Sequence, residues 1–431
     1  VKDAHSVPKS WFNVLPDLPF SLDPPLHPQT GQPLRATELE AIFAPALVEQ
    51  EFSNDHEIEI PDEVRELYAT YRPTPLRRAR HLEQRLNTPA EIYYKYEGAS
   101  PVGSHKLNTA LAQAYYNRQA GTRKLATETG AGQWGAALSL AGKLLGLEVE
   151  VFMVRISAEQ KPERLHYMRA MGAEVHSSPS ERTEFGKSIL ARDPNCSGSL
   201  GIAISEALEV VIHEKGARYS LGSVLNHVLL HQTVIGQEAK AQLAEIGRIP
   251  DLVIACHGGG SNFGGIALPF LPDRLSGRHL RLIAVEPDSC PSLTRGTYTY
   301  DSGDTAGLTP QLMMYTLGRD FIPPVIHAGG LRYHGASPLI SALVHHGLVE
   351  AQSVGDEEVY QAASLFLETE GILAAPESSH AIAQTIRAAV AAREEERHEV
   401  ILFNLSGHGL YDLAFYDRMI PARVARQSVP L

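Results

Sequence analysis

No stretch of this sequence stays apolar for long enough to cross a bilayer. The opening residues, Val1-Lys2-Asp3-Ala4-His5, lead into prolines and aspartates and not into the core of a signal peptide. Cysteine is scarce: Cys196, Cys256 and Cys290 lie far apart with no CxxC, which excludes a disulfide framework and a zinc site of the usual spacing. Positive charge is short too. Lys and Arg number 38 against 50 Asp and Glu, and the net charge of −12 argues against nucleic acid or an anionic membrane as the main partner. It leaves room for a local basic pocket around a small anion. There is no internal repeat. What is present, 431 residues of which 43% are hydrophobic and 20% charged, describes a cytoplasmic globular protein long enough for two or more folding units.

Residues 1–34 are rich in proline and read as an extended arm over the body. A helical pattern at 37–50 carries Pro45 near its middle, where a break is expected, and Pro61-Asp62-Glu63 opens a further helix to about residue 71. From residue 92 strands and helices alternate. Strands are predicted at 92–96, 124–127, 149–154, 173–176, 252–256, 281–285 and 400–405, and helices at 136–145, 161–171, 202–213 and 228–246, among others. That order implies an α/β protein whose parallel twisted sheets are covered by helices on both faces. Residues 286–335 lack periodicity and read as the surround of an active site or an interface.

Four motifs carry chemistry. In Gly103-Ser104-His105-Lys106-Leu107-Asn108-Thr109, Ser104 is the expected helix cap and Lys106 falls in the first turn, where the helix dipole disfavours a cation. Such a lysine either points into water or is held near-neutral as a nucleophilic amine. Gly130-Ala131-Gly132-Gln133-Trp134-Gly135 matches the dinucleotide pattern G-x-G-x-x-G, but the acid that pattern needs is at the wrong end of the next strand: Glu148 and Glu150 open it, and Arg155 follows its far end. The glycines still indicate backbone pressed against a ligand, with Glu128 just before them at a strand end. Cys256-His257-Gly258-Gly259-Gly260-Ser261-Asn262 follows an apolar strand and precedes a helix predicted near Phe263. Three consecutive glycines let backbone N–H groups converge on a phosphate, and the missing Lys-Ser/Thr excludes a Walker nucleotide site. Asn404-Leu405-Ser406-Gly407-His408-Gly409 again follows an apolar strand, and Glu370-Gly371-Ile372 and Pro376-Glu377 set carboxylates near a loop-to-helix boundary. Alone, Ser406 would satisfy its own turn and Glu377 would be a first-turn acid.

As an ordered set, from Arg72-Pro73-Thr74-Pro75-Leu76 to Ser406-Gly407-His408-Gly409, these segments resemble the tryptophan synthase β-chain family of two-domain, fold type II pyridoxal phosphate enzymes. The resemblance implies a lyase that makes L-tryptophan from indole and a serine-type donor. Lys106 would hold the cofactor covalently and then act as base at the substrate Cα. His105, Asn108, Gly258, Gly259, Gly260, Ser261 and Asn262 would bind the cofactor, with Glu370 and Ser406 beside its ring. Glu128 would be the general acid/base, and Thr129, Gly130, Ala131, Gly132 and Gln133 would bind substrate. A neutral Ser406 at the pyridine nitrogen suits β-elimination followed by addition of a nucleophile. The same resemblance implies a homodimer, a monovalent cation near Gly258, Tyr333 and Gly335, and a division into an N-terminal arm with helices (1–71), a discontinuous cofactor-binding domain (72–104 and 231–431) and a smaller domain (105–230) with a mobile lid at about 121–213.

The sequence departs from the common pattern at three places. Trp134 stands where a histidine is usual, His408 replaces an arginine, and Arg332, in Gly329-Gly330-Leu331-Arg332-Tyr333, replaces an aspartate that binds the serine hydroxyl. With the long arm, these departures resemble the second, α-subunit-independent branch of the family and put an α-chain partner in doubt. Arg332 is expected to face the leaving group, where a guanidinium could clamp the phosphate of O-phosphoserine; the alternative is an arginine turned to solvent or paired with Asp320.

Overall fold

The computed structural model describes residues 6–417. Two mixed layers of helix and sheet share one cavity. The larger sheet has six strands in the order Glu350–Val354, Arg281–Pro287, Leu252–Cys256, Val400–Leu405, Glu91–Tyr96 and Leu76–Arg78. All pair in parallel except the last, which is antiparallel. The smaller sheet has four parallel strands in the order Glu174–Ser178, Glu148–Val154, Lys124–Thr129 and Ala217–Tyr219. Every strand read from the sequence is present, most of them extended by one or two residues at an end.

The unbroken apolar runs of the large sheet follow from burial on both faces. Val253, Ala255, Leu282, Ala284 and Leu402 belong to one core, whereas Ile254, Ile283, Val285, Ile401 and Phe403 belong to another. Neighbours along a strand point to opposite faces, so both cores need apolar residues and alternation disappears. The helices Ser261–Ala267 and Pro376–Glu394 both pack against the strand Leu252–Cys256.

Three expectations are corrected. The pattern at 228–246 is two helices, Asn226–Gln232 and Val234–Glu245, meeting at Thr233. The region 286–335 contains an antiparallel hairpin, Thr297–Ser302 with Gln311–Thr316, whose alternating Thr and Tyr residues favour a strand that is only half covered. The proline-rich arm is extended where Ser10–Phe12 pairs with Glu57–Glu59 and where Leu26 bridges to Gln311, but it is not wholly so: Leu15–Asp17 forms a 3-10 turn. The break at Pro45 is present, between helices Ala36–Leu39 and Pro45–Glu51. Among the described residues no helix is long and apolar enough to cross a membrane.

Candidate active site

The strands Lys124–Thr129, Leu252–Cys256 and Val400–Leu405 end around one cavity of about 790 Å³. Lys106 enters it from the head of the helix Leu107–Gln119. Ser104 is not the cap: Lys106 itself occupies that position, with φ −61° and ψ −26°, while Ser104 bridges to Gly407 and the His105 N–H donates to the Ser406 carbonyl at 2.9 Å. This short tie to Ser406, just past the end of its strand, starts the helix two residues later than the sequence suggests. It also aims the Lys106 ammonium inward, where Nζ donates to Ser261 Oγ at 2.7 Å and to the Gly222 carbonyl. The amine is open to the cavity yet surrounded by protein, and desolvation lowers its pKa to about 8 against the attraction of Cys256, Glu128 and Glu377.

Glu128, near the end of its strand, is buried. Desolvation pushes its pKa up to about 7, although the Tyr219 hydroxyl donates to its Oε2 and Lys106 favours the carboxylate. An amine near 8 and a carboxyl near 7 in one cavity are groups poised to exchange protons at neutral pH.

The glycine run turns directly into the helix Ser261–Ala267, two residues earlier than predicted. Gly260 has φ +111°, and a Cβ at Gly259 would lie 2.7 Å from Ser223 Oγ, so neither position accepts a side chain without strain. His105 Nε2 lies 3.3 Å from Ser261 Oγ, and burial lowers the His105 pKa to about 3, so the ring is neutral. Asn262 donates to the Cys256 carbonyl at 2.9 Å and accepts from Asn404 at 2.6 Å, which ties two strand ends together beneath the turn. Ser406 Oγ is 2.7 Å from Ser378 Oγ. These donors fit pyridoxal phosphate: backbone N–H groups and neutral hydroxyls for the phosphate, a partly buried amine for its aldehyde carbon, and a neutral hydroxyl for its ring nitrogen.

Thr129, Gly130, Ala131, Gln133 and Trp134 line the same cavity, while Gly132, at φ +86°, forms the turn beneath them. Thr129 Oγ1 accepts from the N–H groups of Gly132 and Gly135, both at 3.2 Å. Three expected residues stand elsewhere. Asn108 is buried behind Lys106, and its side chain is taken by Arg72, Tyr71, Glu97 and Gln232. Glu370 ends its helix away from the cavity and accepts from the Leu82 N–H at 2.9 Å. Arg332 is buried, and its guanidinium donates to the carbonyls of Pro323 and Pro324 at 2.7 and 2.9 Å; it faces neither cavity, solvent nor Asp320. Gly258 and Tyr333 line the cavity, whereas Gly335 packs on Met314.

Two cavity residues carried too little signal in the sequence. Glu377, read there as a first-turn acid, accepts from the Gly330 N–H at 2.9 Å and from Gln133 at 3.1 Å, with Lys161 Nζ at 3.9 Å. Tyr219 ends a three-residue strand with no periodicity to find it by. Its backbone pairs with Ala126, two residues before Glu128, so only the folded side chain brings it to the acid.

Residues 67–407 match the pyridoxal-phosphate dependent enzyme family. The chain is 62% identical to tryptophan synthase beta chain 2 of Thermotoga maritima, across 95% of this chain and 97% of that one. It is 58% identical to tryptophan synthase beta chain 2 of Methanosarcina mazei, across 97% and 95%. An L-serine ammonia-lyase from Rhizomucor miehei shares the fold at TM-score 0.60 and 17% identity, over 81% of this chain and 97% of that one.

Proposed function

As the chain belongs to the tryptophan synthase β-chain family of pyridoxal-phosphate-dependent enzymes, we propose that it makes L-tryptophan from indole and L-serine with Lys106 and Glu128 as its catalytic residues. The observation that carries this division of labour is the pair itself: an amine near pKa 8 and a carboxyl near 7 facing one cavity. Bound there, pyridoxal phosphate supplies the electron sink that labilises the substrate Cα–H bond and the β-substituent. Lys106, partly neutral at pH 7–8, takes the Cα proton and later returns one to the same carbon. Glu128 in its acid form gives a proton to the departing hydroxyl of serine. The resulting carboxylate then accepts a proton from indole as the new carbon–carbon bond forms. The backbone N–H groups of Gly258, Gly259 and Gly260, with the Ser261 hydroxyl and neutral His105, would hold the phosphate. Ser406 would offer the ring nitrogen a neutral hydroxyl, and the 129–133 loop would hold the substrate carboxylate.

The domain division at 72–104 with 231–431 against 105–230 belongs to this reading, since the strands of the two sheets sort along it. So does closure of 121–213 on substrate. Gln133 to Glu377 and Lys161 Nζ to Asp412, at 2.6 Å, cross from that segment to the body beside the cavity, where closure would exclude water. The reading also takes the protein as a homodimer that acts without an α-chain.

The test is the visible spectrum of the purified holoenzyme on adding L-serine and then indole, with tryptophan followed by chromatography. A serine-dependent band that decays as tryptophan appears is the expected result, and it vanishes in Lys106→Met. Pyruvate and ammonia as the sole products, or turnover with sulfide but not indole, would replace the proposal with deamination or another β-replacement.

A further inference from the structure

One contact joins the N-terminal segment to the carboxyl group on which the proposed reaction turns. The strand Ala217–Tyr219 is an edge of the four-stranded sheet, and residues 40–43 lie along it. The Tyr219 N–H donates to the Ile42 carbonyl at 3.0 Å, and the Arg218 guanidinium donates to the carbonyls of Glu40 and Phe43. The Phe43 ring lies 5.8 Å from that of Tyr219 and 5.6 Å from His227, so it is wedged between them. Tyr219 has little freedom left: backbone and ring are both held by the segment, and its hydroxyl donates to Glu128 Oε2.

We propose that Tyr219 is a positioning residue for Glu128 and that the N-terminal segment, through Ile42 and Phe43, holds it in place. The inference rests on the proposed role of Glu128. The phenol hydroxyl fixes Oε2 of a carboxyl group that lines the cavity. It also stabilises the ionised form, opposing the burial that raises the Glu128 pKa. The ionisable groups around that carboxyl are few. Lys106 reaches it from the helix head, Tyr219 from the strand and Tyr333 from the loop across the cavity. Glu377 lies beyond Lys106, and Asp304 acts on both tyrosines. Burial raises the phenols of Tyr219 and Tyr333 far above neutrality and Lys106 is joined to the cofactor in the holoenzyme, so of Glu128, Lys106, Tyr219 and Tyr333 the carboxyl is the one that changes charge over pH 5–9.

The test reads the carboxyl directly. The infrared carboxyl band of Glu128, assigned by its loss in Glu128→Gln, is titrated in the holoenzyme without substrate. In Tyr219→Phe, which deletes one hydroxyl, the midpoint should rise by about one pH unit, the size of a lost hydrogen bond to a charged group. Phe43→Ala should move it in the same direction, and the double variant no further than Tyr219→Phe, because both act through one contact. Phe43→Tyr, which keeps the wedge, should restore the native midpoint, and it covers the case in which Phe43→Ala fails to fold. An unmoved midpoint in Tyr219→Phe overturns the proposal. So does a shift there with none in Phe43→Ala, or additive shifts in the double variant. A chain that proved to deaminate serine would still show or lack these shifts, so failure of the functional reading is visible separately.

Discussion

A carboxyl group held near pKa 7 inside a protein burdens the fold that carries it. At pH 4 Glu128 is mostly protonated whether the chain is folded or unfolded, and it contributes little. As pH rises past the unfolded value near 4.3 the unfolded chain ionises first, and native stability falls until the folded group titrates at about 7. Glu128→Gln should therefore stabilise the cofactor-free chain at pH 8, on the order of 3 kcal/mol, and change little at pH 4. Thermal melts at the two pH values check this; an equal difference at both would show that the shift is absent. The same variant should lose about 10²- to 10⁴-fold in tryptophan formation, read from initial rates with saturating indole. Gly259 carries the opposite kind of burden. Gly259→Ala brings a methyl group against Ser223, whose hydroxyl accepts from the Ser261 N–H at 3.0 Å, and it should weaken cofactor retention about tenfold or more on dialysis while far-ultraviolet dichroism is kept.

The helix that carries Lys106 is anchored from behind by buried charge. Arg72 reaches Glu97 at 2.9 Å and Glu238 at 2.8 Å, Lys95 reaches Glu238 at 2.7 Å, and Arg72 also donates to Asn108 at 2.8 Å. Burial works to raise the Glu97 pKa, but the Arg72 guanidinium overrides it and holds the acid at about 2. A depressed carboxyl stabilises the fold above its unfolded pKa and loses that contribution as pH falls toward 2. Glu97→Gln should cost about 3 kcal/mol at pH 7, and the gap to the wild type should close between about pH 4 and pH 2 in denaturant titrations. This network explains what the sequence could and could not disclose. The strands ending at Cys256 and Leu405 were legible because a strand buried on both faces must be apolar throughout, and the glycine run because close approach admits no side chain. Lys106 and Glu128 were singled out by their places at a helix head and a strand end, and their roles came from the family resemblance. Asn108 was misread because its partners, Arg72, Glu97 and Gln232, come from three other segments. Arg332 was misread because a position in a motif says nothing of the two carbonyls, Pro323 and Pro324, that turn the guanidinium away.

At the scale of the molecule, the cavity wall draws on Leu15, Leu18 and Phe20 from the arm, on Leu39, Ile42 and Phe43 beyond it, and on Ser406 near the other end. The arm is fastened where it passes: Phe20 stacks on His346 at 3.9 Å between ring centroids, and Asn13 donates to the carbonyls of Ser53 and Asp55 at 2.8 and 2.9 Å. A ribosome releases the two ends of that wall far apart in time. At about 5–20 residues per second, Ser406 follows Leu15 by roughly 20–80 s, during which the apolar arm has no finished surface to lie on. Nascent chains must therefore pass through a long interval with this lining bare, when a holdase would find its best purchase on residues 15–52.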